Sequence, residues 1–178
     1  MNDPLEKTET LYSADWLELK RRGRFEFISR KRCSGVVIIV PITDKNEIVL
    51  VEQYRHAVQS AVLELPAGLV GDVTGQEEEE SVEAARRELL EETGFAAGRM
   101  EFLFTGPVAP GTMSELLSFY YADQLVRRHQ GGGDDTENIT VHVIPINQAR
   151  IYLKTWQKQG GMIDPKVFIG LDQWQSRQ

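Results

Sequence analysis

The chain has 178 residues, enough for one domain with a proper core, and its 27 acidic against 20 basic side chains give a formal charge of −7. That balance argues against a broad basic surface for nucleic acid, and a single cysteine, Cys33, rules out an internal disulfide and fits a reducing compartment. The longest apolar run, residues 36–42, is far below the roughly 20 residues of a membrane-spanning helix, and residues 1–6 are too polar for a secretion signal. A cytoplasmic protein with no membrane or nucleic-acid partner is expected.

From residue 11 to 30 apolar and polar residues alternate (Trp16, Leu17, Leu19, Phe25, Phe27), which predicts short, half-exposed strands in a small antiparallel sheet. Residues 35–42 and 48–53 are β-branched runs around Thr43-Asp44-Lys45-Asn46-Glu47 and predict a hairpin with one strand buried on both faces. Val62-Leu63-Glu64-Leu65 predicts another strand, stopped by Pro66 and Gly68, and the glycine-rich stretch 68–76 a loop. A helix is predicted over 82–92, with Ser81 as N-cap and Gly94 as terminator. Strands are predicted at 101–104, 116–121 and 140–146. Residues 130–137, with three glycines and three carboxylates, read as a loop; helices are predicted at 147–158 and after Asp164-Pro165. The order of elements is that of a mixed sheet with helices on its faces, an α/β (α+β) fold.

Chemistry concentrates in the first helix. Glu88 and Glu92 are one turn apart on one face and Glu91 lies beside both, so three carboxylates crowd one and a half turns. They repel one another unless a cation sits among them, and oxygen ligands of this kind suit magnesium or manganese. Arg87 is placed to hold one of these carboxylates in a fixed rotamer by paired hydrogen bonds. The isolated histidines and Cys33 are assigned no chemistry.

Loop, helix and glycine together resemble the Nudix box: Gly, five residues, Glu, seven residues, then Arg-Glu-apolar-any-Glu-Glu-any-Gly-apolar. Residues 87–95 match its second half throughout. Counting back from Arg87 puts the first glutamate at Glu79, but the glycine expected six residues earlier is Val73. An insertion of about five residues, with Gly68 as the box glycine, accounts for this and leaves Glu77, Glu78 and Glu80 as alternatives to Glu79. The resemblance implies an α/β/α sandwich and a metal site made by the Ala67 carbonyl with Glu88, Glu91 and Glu92. It further implies a dimerisation sheet in residues 1–34 and a hydrolase domain in 35–178.

Val51-Glu52-Gln53-Tyr54-Arg55, Leu63-Glu64-Leu65-Pro66-Ala67-Gly68 and Ala109-Pro110-Gly111-Thr112-Met113-Ser114-Glu115 resemble segments of the branch that cleaves ADP-ribose and other nucleoside diphosphate sugars. So do Glu137-Asn138-Ile139-Thr140-Val141-His142-Val143 and Gly161-Met162-Ile163-Asp164. On this resemblance Arg55 binds the diphosphate, with Glu64 beside it on the substrate side. Glu115 accepts from a ribose hydroxyl, Trp16 or Tyr12 stacks on the base, and Glu137 or Asp135 takes the proton from the attacking water, Glu137 being preferred for reach. The alternatives are GDP-mannose, an oxidised nucleoside triphosphate or coenzyme A as substrate, or a non-catalytic nucleotide-binding module.

Overall fold

A computed structural model describes residues 7–72, 75, 77–133 and 138–178. The elements in chain order are strands β1 (Thr8–Ser13), β2 (Leu17–Arg22), β3 (Phe25–Arg30), β4 (Gly35–Pro41), β5 (Glu47–Arg55), β6 (Ser60–Glu64) and β7 (Ala67–Val70), then helix α1 (Ser81–Thr93). After it come β8 (Phe95–Pro107), β9 (Leu116–Arg127), β10 (Thr140–Pro145), α2 (Ile146–Lys158), β11 (Met162–Ile163) and α3 (Lys166–Gln175). β1–β3 form the expected three-stranded antiparallel sheet; the rest build two mixed four-stranded sheets, ordered β7-β4-β9-β8 and β10-β5-β6-β11.

The predicted hairpin of residues 35–53 is corrected here. Ile42, just after β4, makes one antiparallel bridge to Ile48 of β5, and the strands then part, β4 pairing with β7 and β9 and β5 with β6 and β10. Two adjacent runs, each apolar on both faces, suit separate sheets better than a hairpin, because each strand then has a packed layer on either side. Ile38, Val40, Ile48 and Leu50 share one core with Leu153 of α2 and Val167 of α3, while Val37 and Ile39 pack on the other side against Ala84, Ala85 and Leu89 of α1.

Other boundaries shift for identifiable reasons. Part of the predicted loop 68–76 is strand β7, since Ala67–Val70 pairs with residues 35–38 of β4. β8 and β9 extend well beyond their predicted cores into a long antiparallel ladder with an irregularity between Phe102 and Phe104. Ser81 is not the N-cap; Glu80 holds that position, and the Ser81 hydroxyl lies 2.6 Å from the Tyr120 hydroxyl. Gly94 ends α1 as predicted, at φ 75°, its N–H bonded to the Leu90 carbonyl at 2.8 Å. Among the described residues no helix is long and apolar enough to cross a membrane.

Candidate active site

A cleft of about 700 Å³ opens where the two four-stranded sheets diverge. Val36, Ala67, Gly68, Leu69 and Leu117 reach it from one sheet, and Arg55, Val62, Glu64 and Ile163 from the other. Glu88 of α1 lies at its floor and Arg30 and Glu115 at one rim, with Asp164, Pro165 and Lys166 also in the wall.

The box helix is seated by backbone contacts. Glu92, 2 % exposed, accepts the Ala67 N–H at 3.0 Å, which fastens the end of α1 to the start of β7. Gly68 leaves room for its neighbour: a Cβ there would sit 1.9 Å from the Glu88 carboxyl carbon. Burial raises the Glu88 pKa to about 7 against the opposing pull of Arg87.

Arg87 is the hub of the charges. Its Nε and Nη2 donate to the two Glu79 oxygens at 3.1 and 3.0 Å, and its Nη1 donates to Glu88 at 2.8 Å and Glu91 at 3.2 Å. Nη2 also donates to the Leu69 carbonyl at 3.1 Å and lies 3.5 Å from Asp72. The expected support role of Arg87 thus extends to four carboxylates. Glu79 is the member of the acidic run that turns inward, its side chain 8 % exposed, while Glu77 accepts from the Gly75 N–H in solvent. Glu79, the position that counting back from Arg87 reaches, is thus the member of the run paired with Arg87. Among the described residues no three acidic, histidine or cysteine side chains are grouped so as to hold a metal ion; Arg87 draws Glu88 and Glu91 to itself.

The predicted substrate residues fall into three groups. Arg55 and Glu64 are joined by two parallel bonds of 2.6 and 2.8 Å in the cleft wall, the carboxylate 6 % and the guanidinium 44 % exposed. Glu115 also lies in the cleft, but its Oε1 accepts from Arg30 Nε at 2.5 Å, a partner the sequence reading missed. Arg30 is the first of three consecutive basic residues, and only the placement of β3 beside the 108–115 loop distinguishes it: Ile28 N–H bonds to Thr112 O and Ser114 N–H to Ile28 O, at 2.8 and 3.0 Å. Trp16 does not line the cleft; its ring is 58 % exposed with the Arg32 guanidinium 5.1 Å above it. Asp135 and Glu137, the expected bases, lie outside the described residues.

Lys166 was missed as well. It follows Asp164-Pro165, read from sequence only as a helix start, and the fold carries it into the cleft wall.

Residues 32–164 match the NUDIX domain model. The chain belongs to the Nudix family. Sequence relatives include the methanol dehydrogenase activator of Bacillus methanolicus, 33 % identical over 155 residues, covering 83 % of this chain and 81 % of that protein. The GDP-mannose pyrophosphatase of Enterobacter sp. (strain 638) is 35 % identical over 138 residues, covering 73 % and 69 %. A crystal structure of an ADP compounds hydrolase superposes with a TM-score of 0.65 at 25 % identity, covering 83 % of this chain and 80 % of that one. The expectation of a Nudix pyrophosphohydrolase acting on a nucleoside diphosphate compound is met. The domain match begins after β3, so the β1–β3 sheet lies outside it.

Proposed function

We propose that this Nudix pyrophosphohydrolase cleaves the diphosphate bond of ADP-ribose or a closely related nucleoside diphosphate sugar, releasing a nucleoside monophosphate and a sugar phosphate. The observation that carries this reading is the shared cleft: the box carboxylate Glu88, from α1, and the Arg55–Glu64 pair, from the β5–β6 side, line one cavity. A diphosphate bound there meets the box on one side and a guanidinium held in fixed orientation on the other.

Charge supports a metal requirement. Three cationic and five acidic side chains line the cleft, so an unaccompanied diphosphate would meet net repulsion. The donor set fits a hard divalent ion: oxygen groups on one helix turn, a buried Glu92, a Glu88 whose burial disfavours its charge, and Gly68 leaving room for that carboxylate. The Ala67 carbonyl with Glu88, Glu91 and Glu92 would hold Mg2+ or Mn2+. Such an ion supplies charge neutralisation and acidifies water.

The chain's own groups do the rest. Arg87 orients Glu88 and Glu91 while Glu79 anchors it from behind. Arg55 fixes the diphosphate, with Glu64 locking its plane. Glu115, steadied by Arg30, accepts from a ribose hydroxyl. A carboxylate of the 134–137 segment, Glu137 before Asp135, takes the proton of the attacking water. Leu11, Tyr12, Trp16, Leu17 and Phe25 are exposed on the β1–β3 sheet, which supports a homodimer through that sheet, with Trp16 stacking on a base in the assembly.

The test is a product assay with ADP-ribose, ADP-glucose, GDP-mannose and 8-oxo-dGTP, with and without chelator. AMP and ribose 5-phosphate from ADP-ribose, lost on chelation and restored by Mg2+, are expected. Hydrolysis of the triphosphate alone would refute the reading. GDP-mannose is the second reading, favoured by the similarity to GDP-mannose pyrophosphatases.

A further inference from the structure

The three helices end in different ways. An α-helix leaves its last carbonyls without partners inside the helix, and the nearest donors are the residues that follow. α2 and α3 use those: Gln159, Gly160 and Gly161 donate to the carbonyls of Thr155, Gln157 and Trp156, and Ser176 and Arg177 to those of Asp172 and Trp174. In α1 Gly94 serves Leu90, but the next two carbonyls are served by the stretch that follows β9. The Glu91 carbonyl accepts from Gly133 N–H at 3.1 Å and the Glu92 carbonyl from Gly132 N–H at 2.9 Å, while Gly94 O accepts from Arg128 N–H at 2.7 Å.

So close an approach needs glycine on both sides. Gly131, Gly132 and Gly133 have φ of 77°, 123° and 79°, a region that side chains disfavour. A Cβ on Gly131 would stand 2.5 Å from the Glu92 carbonyl oxygen, and one on Gly94 2.2 Å from the His129 carbonyl oxygen. The stretch is braced in turn. Arg127 Nε donates to His129 O at 3.1 Å, Gly131 N–H to His129 Nδ1 at 3.1 Å, and Ile139 N–H to Gly132 O at 3.3 Å.

A cap that merely ended the helix could be made locally, as in α2 and α3. This one grips the two residues whose carboxylates are assigned to the metal site above. Glu92 is thereby held at both ends, its side chain by the Ala67 N–H and its carbonyl by Gly132. Glu91, its side chain 48 % exposed, gains from Gly133 a fixed backbone from which the carboxylate projects.

We propose that Gly131, Gly132 and Gly133 are positioning residues of the metal turn, a backbone clamp that sets the placement of Glu91 and Glu92. This rests on the metal requirement proposed above. The clamp acts through the carbonyls it holds.

The experiment measures Mn2+ binding by electron paramagnetic resonance without substrate, kcat on ADP-ribose and GDP-mannose, and thermal melting, for wild type, Gly131→Ala, Gly132→Ala and Gly160→Ala. Gly160, after α2, has φ 89° and nothing within 4 Å of a Cβ, so its variant carries backbone strain alone. It should melt below wild type and keep Mn2+ affinity and kcat within about twofold. Gly131→Ala must push the Glu92 backbone away, and should weaken Mn2+ binding about tenfold and lower kcat at least as much. Gly132→Ala has room for its methyl group, the nearest atom being 3.9 Å away, but gives up the angle that aims its N–H at Glu92, and its Mn2+ affinity should fall between the other two. In the wild type, Mg2+ should slow hydrogen exchange of the Gly132 and Gly133 amides relative to that of Gly160, since a clamp that favours the bound ion is favoured by it; this holds whether or not the variants fold. Wild-type Mn2+ affinity in a folded Gly131→Ala or Gly132→Ala protein, an equal loss in Gly160→Ala, or exchange that Mg2+ leaves unchanged overturns the inference. Should the wild type bind Mn2+ yet cleave neither nucleotide sugar, the substrate reading falls and Mn2+ affinity still decides the clamp. Should it bind no Mn2+, the metal requirement and the clamp fall together.

Discussion

The two arginine clusters of the cleft are built on different plans. Arg55 and Glu64 form a charge-balanced pair, two parallel bonds with the carboxylate buried and the guanidinium presented. Arg87 instead serves Asp72, Glu79, Glu88 and Glu91 at once, one positive charge among four acids. Within the first pair the charges balance; the second has a deficit of positive charge. A carboxylate surplus in a helix whose Glu88 already resists ionisation fits the divalent ion proposed above.

The sharpest way to break this contrast is Glu92→Gln. If the surplus serves a divalent ion, kcat falls about a thousandfold while the melting temperature holds, and single-turnover hydrolysis of ADP-ribose measures the loss. Turnover equal to wild type would make the crowded helix an ordinary charged face. Arg55→Ala tests the balanced cluster, leaving Glu64 buried without its bidentate partner. Substrate affinity should drop about tenfold or more, and stability by about 2 kcal/mol in urea titration, a loss of fold stability that Glu92→Gln does not share.

Gly68→Ala probes how the surplus is arranged. Its methyl group would displace the Glu88 carboxylate, the movable end of a flexible side chain, so the fold survives while Mg2+ affinity weakens about tenfold, read from the metal dependence of rate. The smallest effect concerns the anchor behind the hub. The hydrogen bond from Arg87 holds the Glu79 pKa below the usual glutamate value, so its stabilisation is present above the unfolded-state pKa and fades as pH falls through the lowered one. Glu79→Gln should therefore cost about 1–2 kcal/mol at pH 7 and nothing in strong acid, with urea midpoints of the two proteins converging there.

How much of this was legible in the sequence depended on whether the signal was local. The box helix, its glycine stop and the Arg87 spacing are set by residues within one or two turns, and they were read correctly. The hairpin was misjudged because period-two patterning says which faces are buried and is silent on which strand pairs with which. Arg30 escaped for a related reason: it gains its meaning from a carboxylate 85 residues away, brought to it by the fold. Glu79 lay between these cases: its spacing to Arg87 pointed to it, while Val73 at the expected glycine position left its neighbours Glu77, Glu78 and Glu80 open.

The stitching of β3 to the 108–115 loop also bears on where the chain tolerates shortening. A protein beginning at Gly35 would keep every box residue and the whole of both mixed sheets. It would nonetheless leave Glu115, 10 % exposed, without Arg30, and strip the loop of its backbone ties to Ile28. The rim of the cleft is thus on loan from a segment that the domain match does not include, and a trimmed domain would inherit the chemistry with one wall missing.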